Sequence, residues 1–352
     1  MTYLINELAE LGWTSFYTSQ MQAQIPDGMI PVRVMQVHRG HLVVAGAGRE
    51  QTIPPFHDDD GDPAGTATVG DWLLLDAASG KPCRLLARRN LFKRRAPGTG
   101  REIQLIGANI DTLFIVSSCN QDFNPSRLER YLALARQEGV TPVIVLSKAD
   151  LTDRPQDFAE AARLAPGLLV ETMDTRKSDD VACLSGWCGH GQTIALVGSS
   201  GVGKSTLINS LIGNQLIDTA EIREQDGKGR HTTTARVLHR LPSGGWLLDT
   251  PGMRELQLSG AGDGIGEVFA DLEALARQCR FSDCSHDSEP GCAVRHAIAS
   301  GRIAPKRLAN WRKLRAEDAR NAESLAERRH RQRDFSKMVR QSMDAKRRSR
   351  RE

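Results

Sequence analysis

The chain has 352 residues, 39% of them hydrophobic and 26% charged, with 47 Lys+Arg against 43 Asp+Glu; this suits two or three folded domains and excludes a collagen-like or wholly disordered protein. No run approaches the roughly 18 apolar residues of a membrane span, and Glu7 and Glu10 precede any basic residue, which argues against a secretory leader. Seven scattered cysteines fit a reducing compartment better than a disulfide framework, so a cytoplasmic protein with no membrane partner is expected.

Charge is unevenly spread. Residues 302–352 hold 18 basic and 7 acidic side chains, leaving that tail near +11 and the remainder near −7. A basic tail on a near-neutral body is the outline of a protein that docks on a polyanion, although a solvated charged helix gives the same count.

In chain order, residues 30–102 read as short strands separated by turns. One hairpin is expected over 33–46 about Arg39 and Gly40, and another over 71–86. No helix long enough to cover a sheet intervenes, so a small closed or half-closed β-barrel of the oligonucleotide-binding (OB) type is expected, with an SH3-like barrel as the alternative. The stretch 84–101 gathers Arg84, Arg88, Arg89, Lys93, Arg94, Arg95 and Arg101 around Phe92, either as a phosphate-facing patch or as a solvated linker. The acidic cluster HDDDGD (57–62) lacks the closing Glu of a calcium loop and reads as a surface loop.

From Asp111 apolar runs alternate with helical patterns. Leu113–Val116, Val143–Leu146, Leu168–Val170, Ile194–Val197 and Trp246–Leu248 are expected strands, and Leu128, Tyr131, Leu132 and Ala135 mark one apolar helix face. Strand–helix–strand repeats predict an α/β parallel sheet. After Gly260 the chain becomes helical and cysteine-bearing.

Within this frame, GSSGVGKST (198–206) follows an apolar strand and opens a helix, the pattern and context of a phosphate-binding P-loop. Gly198, Gly201 and Gly203 let the amides of Ser199, Ser200, Val202 and their neighbours turn inward. Lys204 can reach the β- and γ-phosphates, Ser205 can ligate Mg²⁺, and Thr206 continues the helix start. Asp249 ends the strand 246–249 and begins DTPG, where it can hold the Mg²⁺ shell while Gly252 offers its N–H to a γ-phosphate. Between them, 218–234 is polar and contains three threonines, of which Thr233 can close on Mg²⁺; a plain surface loop is the alternative.

SKAD (Ser147, Lys148, Ala149, Asp150) caps the strand 143–146. An aspartate there can accept both N1–H and N2–H of guanine, a donor pair that adenine lacks, so Asp150 selects GTP over ATP, with Lys148 against the base plane. The residue expected at the first position is Asn; Ser147 forgoes one amide hydrogen bond. Common GTPases place this element last, whereas here it comes first, so the domain reads as circularly permuted, and the DTPG switch leads directly into the C-terminal region.

That region carries Cys279, Cys284, His286 and Cys292. Three thiolates and an imidazole form a closed tetrahedral set for one structural Zn²⁺ per chain, with reduced structural cysteines as the alternative. Cys183, Cys188 and His190 repeat the first three offsets, but the fourth falls on Leu196 of the P-loop strand, so this is not read as a site.

Together these residues resemble the circularly permuted ribosome small subunit-dependent GTPase A (RsgA) family over nearly the whole chain: ANID at 108–111, FNPSRLERYLALARQEGVTPVIVLSKADL at 123–151, GSSGVGKSTLIN at 198–209, GRHTTT at 229–234, DTPGMRE at 249–255 and the Cys-Cys-His-Cys set. The resemblance implies a GTP hydrolase that binds the small (30S) ribosomal subunit and its rRNA late in assembly, through an OB-fold, a zinc-bearing domain and a basic terminus, with activity stimulated by the subunit. The family's guanine-proximal loop falls near VETMD (170–174), which matches poorly and is left out of the site. The expected division is 1–104 (N-terminal segment and barrel), 105–258 (permuted GTPase domain) and 259–352 (zinc domain and basic tail), in a monomer. Met253 stands where a Ras-like enzyme has its water-orienting glutamine, and His231 is the candidate replacement within the chain; a surface histidine is the alternative reading. Rival readings are an RNA-binding scaffold that holds GTP as a structural ligand, and a P-loop ATPase.

Asp150→Asn is expected to shift base preference from guanine toward xanthine, because an amide presents a donor where guanine already has one. Competition between guanine, xanthine and adenine nucleotides checks this; equal binding of GTP and ATP by the wild type would refute a guanine-reading site.

Overall fold

The computed structural model describes residues 2–22, 28–58, 62–95, 103–213, 236–249 and 260–321. Chain contacts divide the protein into two compact units, Met1–Gln257 and Leu258–Glu352.

In the first unit the five expected apolar runs form β8 (Thr112–Ser118), β9 (Thr141–Ser147), β10 (Leu169–Thr172), β11 (Thr193–Val197) and β13 (Trp246–Asp249), all parallel in the order β10-β9-β8-β11-β13. Apart from the half-exposed edge strand β10, their near-continuous hydrophobic sequences follow from burial on both faces. Helix α3 (Pro125–Gln137) is capped by the Asn124 side chain, has Pro in its first turn, and buries Leu128, Tyr131, Leu132 and Ala135. Helices α4 (Pro155–Ala162) and α5 (Ser178–Val181) follow β9 and β10, and on one face of the sheet Phe114, Val116, Val143, Val145, Ile194, Leu196 and Leu247 pack with Leu207 and Ile208 of α6 (Lys204–Ile212).

A strand absent from the sequence reading, β12 (Arg236–Arg240), runs antiparallel to β13 and carries the sheet onward. It pairs with β1 (Met29–Val37) through Gln36–Val237 and Val37–Arg236. From β1 an antiparallel path extends through β2 (Leu42–Gly46) to β3 (Arg49–Ile53) on one side and through β4 (Trp72–Asp76) to β5 (Pro82–Leu85) on the other. Both expected hairpins are there. Among the described residues no ladder pairs β3 with β5; Gln51 Nε2 donates to Gly80 O at 3.4 Å instead. Val32, Val34, Leu42, Val44, Ile53, Leu73 and Leu75 from these strands share one apolar cluster. The basic stretch after β5 is partly a strand: β6 (Leu91–Arg95) pairs with β7 (Ile103–Ala108) and buries Phe92, so the linker reading does not hold there. The N-terminal helices α1 (Thr2–Glu10) and α2 (Ser15–Gln22) place Leu8 and Tyr17 against Trp72, Leu74 and Leu86.

A buried polar junction fixes the base of β11. Arg33 of β1, 1% exposed, donates to Leu11 O at 2.6 Å and to Thr193 Oγ1 at 2.7 Å. Asp111 accepts from Thr193 N at 2.7 Å and from Arg89 at 2.7 Å, and Asn109, at φ 59°, links Arg89 N to Gly70 O. The ANID motif is thus a structural joint. It sets the strand that ends in the P-loop.

The second unit is helical: α7 (Gly262–Val268), α8 (Ala270–Ala276), α9 (Ala293–Ala299) and a helix over 305–321. Its core includes Ile265, Phe269, Leu272, Val294, Leu308, Trp311 and Leu314. Arg307 lies 4.8 Å from the Phe269 ring centroid and donates to Asp271 at 2.9 Å. No helix among the described residues is long and apolar enough to cross a membrane. The part of the basic tail at 322–352 lies outside the described residues.

Gly70 has φ +88°, and a Cβ there would lie 2.2 Å from Ala108 O. Gly70→Ala is therefore expected to cost about 2 kcal/mol or more of stability, from backbone strain plus displacement of the Ala108 carbonyl. Chemical denaturation of the full chain measures it.

Candidate functional site

The C-terminal ends of the parallel strands bring the expected nucleotide residues to one edge of the sheet. After β11, Gly198 (φ 149°), Gly201 (φ 78°) and Gly203 (φ 93°) carry the loop through conformations that glycine adopts without strain. A Cβ on Gly198 would meet Val116 O at 2.3 Å. Gly203 caps α6 with no side-chain acceptor, so the first-turn amides of Lys204, Ser205 and Thr206 have no intrahelical carbonyl to bond, and the positive end of the helix dipole points from the loop. Ser200 and Gly201 are exposed at the loop tip while Val202 is buried beneath it. Lys204 Nζ donates to Gly198 O at 2.9 Å and to Ser199 O. Arg127, on the first turn of α3, donates to Ser199 Oγ. The result is a glycine-rich loop that ends in a helix N-terminus with a cation at its mouth, an arrangement able to wrap a polyphosphate.

Two strands away, β9 ends in Ser147. Its hydroxyl is fully buried, 3.0 Å from Ser117 O and 2.5 Å from Val202 O. Lys148 then takes the left-handed conformation at φ 58°, which turns the chain into a short 3₁₀ segment (Ala149–Leu151) bearing Asp150. A Cβ on Gly203 would sit 3.4 Å from Ser147 Oγ and 3.7 Å from Thr175 Oγ1, so the P-loop, the Ser147 turn and the loop after β10 meet at this point. Asp249 ends β13, one residue beyond the Ala195–Leu248 pair and so beside the strand that feeds the P-loop.

The loop that sequence pattern left out of the site belongs beside it. Met173 N donates to Leu146 O at 2.9 Å and Ala149 N to Met173 O at 3.3 Å. Asp174 is buried and accepts from Arg176 Nε at 2.9 Å, and Arg176 also donates to Asp150 Oδ2 at 2.8 Å. These hydrogen bonds from Arg176 hold the Asp174 carboxyl down to about 2. The available signal was position alone: the segment closes β10, the strand that precedes the P-loop strand in the chain. His231, Thr233 and Gly252 lie outside the described residues.

In the second unit Cys279, Cys284, His286 and Cys292 place their ligand atoms within 4.8 Å of one another. Cys279 Sγ is 3.9 Å from Cys292 Sγ and 3.6 Å from His286 Nδ1, and Cys292 Sγ is 3.5 Å from the same nitrogen. A tetrahedral site with metal–sulfur bonds of roughly 2.3 Å has sulfur–sulfur edges of about 3.8 Å, so Cys279, His286 and Cys292 already stand at ligand spacing, with Cys284 within 4.8 Å of each. Burial pushes the His286 imidazole below its ordinary value, with Arg312 adding to the effect, which favours the neutral ligand form. Around it, Glu289 accepts from Ser285 N at 2.7 Å and Asp287 N at 2.9 Å, Arg312 pairs with Asp287 at 2.7 Å, and the Trp311 ring lies 5.7 Å from that of His286. Trp311 and Arg312 are distant in sequence from the ligands, so spacing arguments did not reach them. Cys183, Cys188 and His190 are not among the groups of described residues able to hold a metal.

A sequence model of the RsgA GTPase family matches residues 85–259. Over 344 residues the chain is 48% identical to the small ribosomal subunit biogenesis GTPase RsgA 2 of Vibrio parahaemolyticus, an alignment covering 97% of this chain and 94% of that protein. The chain belongs to the RsgA GTPase family. The small ribosomal subunit biogenesis GTPase RsgA of Mesorhizobium japonicum is 48% identical over 319 residues, 89% of this chain and 90% of the relative. Among solved structures, YjeQ from Thermotoga maritima superposes with a TM-score of 0.59 at 23% identity, covering 81% of this chain and 97% of that one. YloQ, described as a circularly permuted GTPase, gives 0.56 at 22% identity, covering 84% and 97%. These likenesses show the permuted fold, and membership of the RsgA family makes the chain a GTPase. The order β9, then β11 with the P-loop, then β13 is that permutation seen in the strands themselves.

The Cys-Cys-His-Cys cluster of this RsgA family member generates a direct expectation. Freshly purified, unchelated protein should carry close to one tightly held divalent ion per chain, and stripping it should unfold 258–352 before the first unit, because small metal domains draw much of their folding free energy from the ion. Elemental analysis with proteolysis after chelation checks both; less than a quarter equivalent of metal would contradict the assignment.

Proposed function

We propose that this protein hydrolyses GTP during maturation of the small ribosomal subunit, binding that subunit and its rRNA. One observation carries the reading: a P-loop and a guanine-type strand end meet at one sheet edge, in a chain 48% identical over nearly its full length to a small ribosomal subunit biogenesis GTPase. In this reading Ser147, Lys148, Ala149 and Asp150 receive the base, and the loop from Gly198 to Thr206 receives the phosphates. Lys204, which rests on the loop carbonyls of Gly198 and Ser199, exchanges them for β- and γ-phosphate oxygens.

Ser205, Asp249 and Thr233 are the residues that would hold Mg²⁺; Ser205 and Asp249 are half-buried oxygen donors at adjoining element ends, the ligand type this ion requires. When bound, the ion neutralises charge on the β- and γ-phosphates. Water attacks the γ-phosphorus in line and the bond to the β–γ bridging oxygen breaks, releasing GDP and phosphate. Lys204, the loop amides and the Gly252 N–H stabilise charge on the transferring group. Met253 cannot orient the water, so turnover by the free protein is slow, and His231 is the group that docking on the subunit would bring into place.

Three thiols and one imidazole gathered within 4.8 Å of one another are the donor set that favours Zn²⁺ as the resident metal of Cys279, Cys284, His286 and Cys292, in a structural role. We read the chain as a cytoplasmic monomer in three parts, 1–104, 105–258 and 259–352, whose N-terminal strands and basic tail face rRNA.

The test is GTP turnover with small subunits, with large subunits and alone. The expected result is stimulation by small subunits of about a hundredfold at low salt, lost at high salt as phosphate contacts weaken. Unchanged turnover sinks the coupling. Binding to subunits without any turnover would favour the scaffold reading, and equal rates with ATP the ATPase reading.

A further inference from the structure

Resting on the reading of Asp150 as the base acceptor, we propose that Arg176 is a specificity-positioning residue: it holds the Asp150 carboxylate in the orientation that accepts N1–H and N2–H of guanine.

The argument begins with Asp150 itself. It stands on a single 3₁₀ turn with its side chain 26% exposed, and a carboxylate so placed samples several orientations, of which few present both oxygens to one edge of a base. Arg176 NH2 donates to Asp150 Oδ2 at 2.8 Å and thereby selects among them. An exposed ion pair ordinarily contributes little, because ordering two long side chains offsets the attraction. Here that ordering is supplied from the other side. Asp174, 7% exposed at its side chain, accepts from Arg176 Nε at 2.9 Å, NH2 at 2.9 Å and the backbone N at 3.1 Å. The Asp174 backbone N–H is in turn held by Asp180 Oδ2 at 3.0 Å. The guanidinium is fixed before it meets Asp150, so gripping a second carboxylate costs little further entropy.

Stoichiometry permits base and arginine together. An ionised carboxylate offers about four lone-pair sites; Arg176 occupies one, on Oδ2, and leaves Oδ1 and the second site on Oδ2 for guanine. The loop bearing Arg176 is laced to the base turn by Met173 N to Leu146 O and Ala149 N to Met173 O, so the distance between arginine and aspartate does not drift. Residue type alone did not announce this, since an Arg two residues after an Asp in a polar loop is ordinary.

The test uses the full-length protein and displacement of fluorescent GDP by GDP and by IDP, which lacks the 2-amino group. Wild type should prefer GDP. Arg176→Ala should lose about tenfold of that preference, chiefly through weaker GDP binding, because a site built around a hydrogen bond discriminates only while its acceptor is in place. Arg176→Lys should restore part of it and Arg176→Gln less. The Arg176 side chain is 64% exposed, so folding should survive, and a melting curve confirms it. A GDP-to-IDP ratio in Arg176→Ala equal to that of wild type overturns the proposal, even where both affinities fall together, since that is what a merely structural role would produce. If wild type itself does not distinguish GDP from IDP and Asp150→Asn is silent, the base reading of Asp150 has failed and the role of Arg176 falls with it.

Discussion

One hydroxyl group, that of Ser147, joins the two halves of the nucleotide edge. It has a single proton and two backbone carbonyls within reach, Ser117 O on the neighbouring strand and Val202 O inside the P-loop. All of this is dry: Ser147, Ser117 and Val202 are buried, and a buried carbonyl without a donor costs about 1–3 kcal/mol. The P-loop is otherwise built of glycines and small serines with little to resist collapse, so its shape depends on tethers: Ser147 to Val202, Lys204 to Gly198 and Ser199, and Arg127 to Ser199. Of these, the Ser147 tether ties phosphate end and base end into one object. It accounts for what a serine can do where an asparagine is expected, keeping the bond to the P-loop with fewer donors to spare.

The permuted order loses nothing by this arrangement. Geometry at the edge is set by which strand ends lie side by side, and the parallel ladder from β9 through β8 to β11 fixes that whichever segment the ribosome synthesises first. At the opposite end of β11 the burial of Arg33 provides the counterpart. A guanidinium removed from water is retained by hydrogen bonds to Leu11 O and Thr193 Oγ1, with Asp111 bracing Thr193 from the other side. The P-loop strand is pinned at its base by residues of the N-terminal segment and at its tip by Ser147. Through β12 the sheet continues without a break into β1, so the antiparallel N-terminal strands and the nucleotide-bearing strands share one hydrogen-bonded framework.

Much of this was legible in the amino-acid sequence, for identifiable reasons. The parallel strands announced themselves because doubly buried strands are nearly pure Leu, Ile and Val, and the P-loop, Ser147–Asp150 and the Cys-Cys-His-Cys set are contiguous or closely spaced. What escaped was short or non-local. RVLHR at 236–240 is a five-residue strand with three charged or imidazole side chains and no apolar run. Leu91–Arg95 is two apolar residues followed by Lys93, Arg94 and Arg95, with no alternation to announce its pairing with 103–108. No periodicity identifies a wholly buried arginine such as Arg33. Asp174 and Arg176 join the site through a loop fold rather than a motif.

The most direct test of the Ser147 tether compares wild type with Ser147→Ala by amide hydrogen exchange across 198–206 together with GDP affinity. Loss of the tether should speed exchange in the P-loop by about tenfold while β8 and β11 stay protected, and weaken GDP binding by a similar factor, as expected for one buried hydrogen bond worth about 1.4 kcal/mol. Unchanged exchange and unchanged affinity in Ser147→Ala would contradict the claim that this hydroxyl holds the nucleotide edge together.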